Sequence, residues 1–457
     1  MAKYQKYAEY INTDSQWIDH IPSHWGVSAL KHVLEIPMTD GPHETPVFVD
    51  DGVPFVSAEA VSSGKIDFNK IRGFITIDDD KRFSQKYKPK LHDVYMIKSG
   101  ATTGVTAIVE TDKDFNIWSP LAAMRCKQLF EPYYLLNYLR SDPFQKSVQL
   151  SWTFGTQQNI GMSTLENLSV CIPPLVEQRK IASFLNYETK KIDSLIAKQE
   201  KLIELLKEKR QAVISHAVTK GLNTNVPMKD SDVEWLGEVP EHWTVSKFGY
   251  ISQVVRGGSP RPAGDPTLFN GDYSPWVTVA EITKDDSLYL TSTETFLTKK
   301  GSEQCRVFQA GTLLLSNSGA TLGVPKILCI DANANDGVVG FEDLKIDTEY
   351  AYFYLSVLTN DLRERVKQGS GQPNLNTDIV KAISITIPPE NEIKEIVADI
   401  KKKIDHFSKL MASADNAIQL MQERRTALIS AAVTGKIDVR NWQRPNKNNE
   451  TDMELSA

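Results

Sequence analysis

Arg256-Gly257-Gly258-Ser259-Pro260-Arg261-Pro262 sets two guanidinium groups around a pair of glycines. Arginine's planar fork of donors fits a phosphate or the O6/N7 edge of guanine, and glycine lets backbone approach a ligand closely. An ordinary surface turn has the same composition. Thr156-Gln157-Gln158-Asn159-Ile160 aligns with Gly371-Gln372-Pro373-Asn374-Leu375. Gln and Asn make paired hydrogen bonds to adenine. An asparagine at Asn159 and again at Asn374 also suits a turn cap.

Ser99-Gly100-Ala101-Thr102-Thr103-Gly104-Val105 returns as Ser318-Gly319-Ala320-Thr321-Leu322-Gly323-Val324. The hydroxyls of Ser99, Thr102, Ser318 and Thr321 are of a kind that holds a phosphate or lines a reading face. A tight turn between strands explains both stretches as well. Their recurrence favours scaffold over readout, because two tandem sites normally differ. Lys81, Arg82, Lys86, Lys88, Lys90 and Lys98 occur with one acid, Asp93, and with Phe83 and Tyr87 interleaved. Such a run suits salt-dependent phosphate contact, with a solvated lysine face as the alternative. A formal net charge of −6 weighs against a nucleic-acid reader, whose surface is usually basic.

Catalytic patterns are missing. Gly100 to Gly104 has the glycines of a phosphate loop without a following Lys-Ser or Lys-Thr. Ile172-Pro173-Pro174-Leu175 and Ile387-Pro388-Pro389-Glu390 lack the polar start and aromatic end of an adenine-methylating loop. They read better as a strand end followed by a helix start. No H-E-x-x-H or G-x-S-x-G occurs. His24 and His242 each lie in a repeated P-x-H-W, where packing or hydrogen bonding is the expected role. Cys126, Cys171, Cys305 and Cys329 form no C-x-x-C pair, which fits a reducing cytoplasm. The opening MAKYQKYAEYINTD has no apolar core region, and no stretch approaches the roughly 20 apolar residues of a membrane span. A cytoplasmic chain without membrane contact is expected.

What must position these residues is a duplication. Asp14 to Val27, DSQWIDHIPSHWGV, returns as Asp232 to Val245, DVEWLGEVPEHWTV. The I-P-P junctions repeat, as do Arg210 with Ala212-Val213-Ile214-Ser215 and Arg425 with Ala427-Leu428-Ile429-Ser430. An interval of this size is a domain duplication, not a solenoid, whose units run about 20–50 residues.

Each half has two textures. The first is rich in Gly, Pro, Thr and aromatics, with short strand-like runs such as Val94-Tyr95-Met96-Ile97 and Leu313-Leu314-Leu315. The second is a long helix, punctuated by Pro174 and Gly221 and again by Pro389 and Gly435. Its seam reads Ile181, Leu185, Ile192, Leu195, Leu202, Leu206, Val213, interrupted at Glu188, Gln199 and Lys209. The second copy reads Ile396, Ile400, Phe407, Leu410, Ala414, Ala417, Met421, Leu428, interrupted at Lys403 and Arg424. The two helices are expected to pair antiparallel as a coiled coil. About 45 residues at 1.5 Å each make a rod of about 65 Å, longer than one DNA turn of about 34 Å.

W-L-G-E-V-P-E-H-W at Trp235 to Trp243, A-V-T-K-G-L at Ala217 to Leu222, and A-V-T-G-K-I-D at Ala432 to Asp438 complete the pattern. With the I-P-P junctions and S-G-A-T loops, they resemble the specificity subunit of type I restriction-modification systems over about residues 14–440. The first module departs at Ile18-Asp19-His20, where the second has Leu236-Gly237-Glu238. The resemblance implies an α+β fold of two similar target-recognition domains separated by two long helices pairing as an antiparallel coiled coil. The expected segments are 1–173 and 222–388 for the domains, 174–221 and 389–436 for the helices, and an unstructured tail over 437–457.

It further implies a non-catalytic reader of double-stranded DNA, each domain reading one half of a split site. Implied partners are two modification subunits that use S-adenosylmethionine and restriction subunits that use ATP and Mg, with no cofactor on this chain. Thr39-Asp40-Gly41-Pro42-His43-Glu44-Thr45-Pro46 looks like a D-G-x-H-x-T-P stretch of some family recognition domains. The candidate DNA contacts are Asp40, Gly41, His43, Thr45, Lys86, Lys88, Ser99, Thr102, Gln157, Gln158, Asn159, Arg256, Gly257, Gly258, Ser259, Arg261, Ser318, Thr321, Gln372 and Asn374. A coiled-coil scaffold whose domains hold proteins, or a methyltransferase with an unrecognised site, are the rival classes.

Overall fold

The computed structural model describes residues 4–154, 158–319, 321–367 and 374–445. The chain divides into two compact units, residues 1–200 with 415–457, and residues 201–414. The long helices Leu175–Lys220 and Glu390–Val433 each begin in one unit and end in the other.

The core of the first unit carries an antiparallel sheet ordered Thr39–Asp40, Leu121–Met124, Val94–Ile97, Thr106–Ile108. Its residues alternate into two buried clusters. Val94, Met96, Ala122 and Met124 face one, and Tyr95, Ile97, Leu121 and Ala123 face the other. That division follows from the period-two geometry of a strand. The second unit has the matching sheet, ordered Gln253–Arg256, Val338–Glu342, Leu313–Ser316, Pro325–Leu328, with Tyr289–Leu290 added at the edge.

The repeated P-x-H-W closes each unit. In the first, the strand Gly26–Ala29 after Trp25 pairs antiparallel with Ser169–Ile172, just before the first long helix. Glu177 lies in the first turn of that helix. His24 Nε2 is 2.7 Å from its Oε1, and Trp25 Nε1 donates to its Oε2 at 3.0 Å. Tyr7 donates to the same carboxylate at 3.0 Å. The second unit repeats the arrangement with Thr244–Lys247 on Ser384–Ile387. There His242 is 2.6 Å and Trp243 2.9 Å from Glu392, in the first turn of the second long helix. A carboxylate at a helix N-terminus is favoured by the helix dipole, and here it also takes up a buried indole N–H.

Each unit also binds the end of the other long helix. Gly435, at φ +73°, follows the second helix, and a Cβ there would lie 2.3 Å from Pro22. Tyr134 Oη is 3.1 Å from the Val433 carbonyl, one of the terminal acceptors that a helix cannot satisfy itself. In the second unit Tyr350 Oη and Thr386 Oγ1 reach the Val218 carbonyl at 3.0 and 2.7 Å. Gly221, at φ +78°, ends that helix against Trp243.

Within each unit the helix segments run antiparallel. Lys180 donates to the Arg440 carbonyl while Asp193 pairs with Arg425 at 2.8 Å. In the second unit Val218 meets Thr386 while Lys207, Ile404 and Met411 line one cavity. The seam differs from the sequence reading. Leu195, Leu202 and Leu410 are 48%, 42% and 40% exposed. The inward positions are Ile196, Ile203 and Met411, and Gln199 is half-buried in line with them. Where two large apolar residues are neighbours, a one-residue step turns the face by about 100°. A strict 4-3 alternation from Ile192 selects the second of each pair.

The tail expected to lack structure from 437 onward is packed at its start. Ile437 and Val439 are buried in the first core, and Trp442 stacks edge-on to Phe184 at 5.5 Å. Burial of Ile437, Val439 and Trp442 removes apolar area from water and favours the packed state.

The first unit therefore depends on residues far along the chain. Deleting residues 415–457 removes Leu428, Ile429, Val433, Ile437 and Val439 from its core. At about 1.5–3 kcal/mol per buried aliphatic side chain this is roughly 7–15 kcal/mol, comparable to a whole domain's stability. We expect the truncated protein to lose protease resistance across residues 4–174 while residues 222–388 keep theirs, as read by limited proteolysis with mass spectrometry.

Candidate nucleic-acid interface

Three segments singled out in the sequence converge at one end of the main sheet in each unit. In the first, Ser99 forms an isolated antiparallel bridge with Asn159. Gly100 N–H donates to Gln158 O at 3.0 Å, and Ile160 N–H to Lys98 O at 2.9 Å. The early loop leaves the same end through Gly41, where a Cβ would lie 2.0 Å from the Ile117 carbonyl, so only glycine fits. The second unit repeats this. Ser318 bridges Asn374, Leu375 N–H donates to Asn317 O at 2.7 Å, and a Cβ on Gly257 would lie 2.3 Å from Asn335 O. Gln157 and Gln372 lie outside the described residues.

Ser99 to Gly104, and the described residues among 318–323, lie in tight turns between neighbouring strands. Gly104 N–H returns to Ile97 O at 2.8 Å and Gly323 N–H to Ser316 O at 2.7 Å. Thr103 Oγ1 bonds Gly100 O at 2.7 Å, and Thr321 O accepts from Ser316 Oγ at 2.9 Å. Turn geometry accounts for the repetition. Ser99, Thr102 and Ser318 are half-buried beside the converging loops, and Thr321 is exposed.

A fourth segment, not marked by sequence reasoning, joins each cluster. Lys98 N–H donates to Pro120 O at 2.8 Å, and Asn317 N–H to Gly337 O at 2.9 Å. The loop 117–120 thus matches 335–337. The only hint in the sequence is the turn composition of Asn333-Ala334-Asn335-Asp336-Gly337.

The two clusters share a frame and differ in charge. Asp40 stands opposite Ala122 and Arg256 opposite Val339, at matching places in matching ladders. Lys98 and Asn317 likewise follow the equivalent strands Val94–Ile97 and Leu313–Ser316. Asp40 and Lys98 in one module therefore become Arg256 and Asn317 in the other. The Asp40 carboxylate, 8% exposed, is a hub: Lys86 reaches one oxygen, and Lys98 and His43 lie 3.1 Å from the other. Burial alone would raise its pKa, but the Lys86 and Lys98 hydrogen bonds hold it below the usual value. His43 and Thr45 project outward, His43 with a side chain 70% exposed.

Five of the six basic residues pair with carboxylates, some just before the run in sequence and some distant from it. Lys88 meets Asp80 at 2.8 Å and Asp114 at 2.6 Å. Arg82 meets Asp79 at 2.6 Å and also Glu44, while Lys81 lies 3.9 Å from Asp78. Phosphate contact by Lys86 or Lys88 would have to share a cation already paired.

In the second module Arg256 Nε donates to the Asp336 carbonyl at 2.6 Å, and Ser259 Oγ donates to its carboxylate at 2.6 Å. The Ser259 bond, with Arg256 and Arg261 nearby, lowers the Asp336 pKa against the opposing effect of burial. Gly258 N–H donates to Ala334 O at 2.9 Å and Arg261 N–H to Gln304 Oε1 at 2.9 Å. These bonds fix the loop while leaving Arg256 and Arg261 exposed. Among the described residues no group of three or more His, Cys, Asp or Glu is placed to hold a metal, and no helix is long and apolar enough to cross a membrane.

The type I restriction modification DNA specificity domain family matches the chain twice, at residues 22–205 and 240–420. The chain belongs to this family. A Methanocaldococcus jannaschii protein designated the type I restriction enzyme MjaX specificity subunit is 26% identical over 440 residues, 93% of this chain and 96% of its own. The EcoKI specificity subunit of Escherichia coli K12 is 21% identical over 416 residues, 87% of this chain and 85% of its own. The HsdS subunit of Thermoanaerobacter tengcongensis shares the fold at a TM-score of 0.51 and 17% identity, covering 91% of this chain and 98% of its own. A chain solved in work on complex assembly and conformational transition of the type I R-M system reaches 0.69 at 16% identity, covering 91% and 99%. The specificity-family resemblance read from the sequence is thus met by two family matches placed one per module.

Asp40→Asn isolates the charge of the hub. The carboxyl titrates below its unfolded value of about 3.9, so its ion pairs contribute above that pH and fade as pH falls through the lowered folded value. We expect Asp40→Asn to cost roughly 1–3 kcal/mol at neutral pH. Denaturation curves at stepped pH should show this difference shrinking only below about pH 4. A difference unchanged down to strong acid would mean that the hub is not ionic.

Proposed function

We propose that this chain is the non-catalytic DNA-reading subunit of a type I restriction-modification complex and that it reads a bipartite target. The observation that carries the reading is the duplicated sheet end. The same loops meet there in the same register in both modules, on a shared frame with exchanged charges. A reader of two unlike half-sites needs this combination, because the scaffold sets the approach to the duplex while loop side chains choose the bases.

In this reading residues 1–173 and 222–388 are the recognition domains, and 174–221 with 389–436 are the helices that separate them. The candidate residues of the converging loops face double-stranded DNA. The helices serve as a ruler that fixes the spacer between half-sites. Two modification subunits, using S-adenosylmethionine, and restriction subunits, using ATP and Mg, dock on this chain, which binds no cofactor itself. The complex works in the cytoplasm. A protein-binding coiled-coil scaffold is the competing class. A salt titration with random duplex, with and without the modification subunits, separates the two, since a scaffold gives no salt-sensitive binding.

Methylation-sensitive sequencing of host DNA tests the modular part. Replacing residues 245–385 by those of a relative should change one half of a split adenine-methylated motif and leave the other half intact. A change in both halves would refute the assignment of one half-site per module. Inserting four residues, about one helical turn, near Glu204 should lengthen the spacer while preserving both half-sites. Methylated positions that keep their old spacing would eliminate the ruler.

A further inference from the structure

We propose that Arg256 is a guanine-reading residue of the second module and the position at which the two half-sites differ in chemistry; the inference rests on the DNA-reading function above. Three features prepare the side chain for paired recognition. Its backbone is held in register opposite Val339, and the following Gly257 is packed so closely on Asn335 and Ala334 that no side chain fits there. Its Nε donates to the Asp336 carbonyl at 2.6 Å, which restrains the guanidinium and leaves both terminal nitrogens to face outward. The Asp336 carboxylate is engaged by Ser259 at 2.6 Å. Among the described residues neither terminal nitrogen of Arg256 makes a hydrogen bond or ion pair, and the side chain is exposed.

Two parallel donors on an oriented plane match the O6/N7 edge of guanine, the commonest base contact of arginine. A phosphate also accepts arginine's fork, but a lysine can hold it as a point charge. The counterpart position in the first module carries the opposite chemistry. Asp40 there has only acceptors, and they are taken by Lys86, Lys98 and His43. The neighbouring exchange is consistent: a lysine in place of Asn317 would repel Arg256, whereas Lys98 suits Asp40. Asn317 is fully buried, and among the described residues neither polar atom of its carboxamide has a hydrogen-bond partner.

The test uses the chain assembled with its modification subunits. Competition binding compares the native target duplex with duplexes altered one pair at a time, for native protein, Arg256→Lys and Arg256→Ala. The half-site assigned to residues 245–385 should contain a G·C pair whose replacement weakens native binding at least about tenfold. Arg256→Lys should lose that discrimination while keeping discrimination in the first half-site, which also reports that the complex is folded. A second half-site of A·T pairs alone overturns the inference, as does full discrimination by Arg256→Lys. Uniform weakening of all duplexes by Arg256→Ala, with a salt slope lower by about 1, would make Arg256 a phosphate contact instead. Loss of discrimination in both half-sites together would place Arg256 in general affinity and also overturn it. A native complex that binds every duplex alike defeats the DNA-reading function itself, whereas a discriminating native complex with an unaffected Arg256→Lys defeats only this inference.

Discussion

A carboxylate in the first turn of each long helix holds the architecture together. Glu177 and Glu392 each accept from an indole and contact an imidazole at the start of their own module. The bond fixes where the helix leaves the domain. The far end of the other helix docks beside it, on Tyr134 and Pro22 in the first unit and on Tyr350 and Trp243 in the second. Removing the glutamate would strand a buried N–H and loosen both helix ends at once, since the indole it holds forms part of the surface on which the other end rests.

The exchanged charges follow from that rigidity. With the main ladders and turns duplicated in register, the chain has little freedom to alter the approach of the loops. It varies the side chains at fixed places instead. Asp40 with Lys98 and Arg256 with Asn317 are two electrostatically self-consistent solutions on one frame. The first module pairs five of the six basic residues of that short stretch with its own carboxylates, so a local excess of cations sits within a chain of net charge −6.

Much of this was legible in sequence wherever the signal was local or repeated. Proline and glycine punctuation located both long helices, observed at Leu175–Lys220 and Glu390–Val433. Hydrogen bonding by the duplicate His-Trp pairs was expected and is observed. Their glutamate partners were not expected, because more than 140 residues separate each pair from its acid. The seam failed at Leu195 and Leu202, where an adjacent isoleucine satisfied the same periodicity. The basic run showed its lysines but not Asp40 and Asp114, which the fold brings to them. Asn159 and Asn374 were matched to each other by alignment, yet their bridging to Ser99 and Ser318 is a tertiary fact with no local trace.

The interlaced helix ends also dictate an order of assembly during synthesis. Residues 201–414 form a contiguous unit, whereas the N-terminal lobe takes core side chains as late as Val439. The lobe translated last is therefore the one that can finish folding first. The lobe translated first must wait, with apolar surface uncovered, until nearly the whole polypeptide has emerged. Such a species is the kind that aggregates or recruits chaperones, so premature termination before the end of the second long helix leaves an N-terminal lobe without its closing segment.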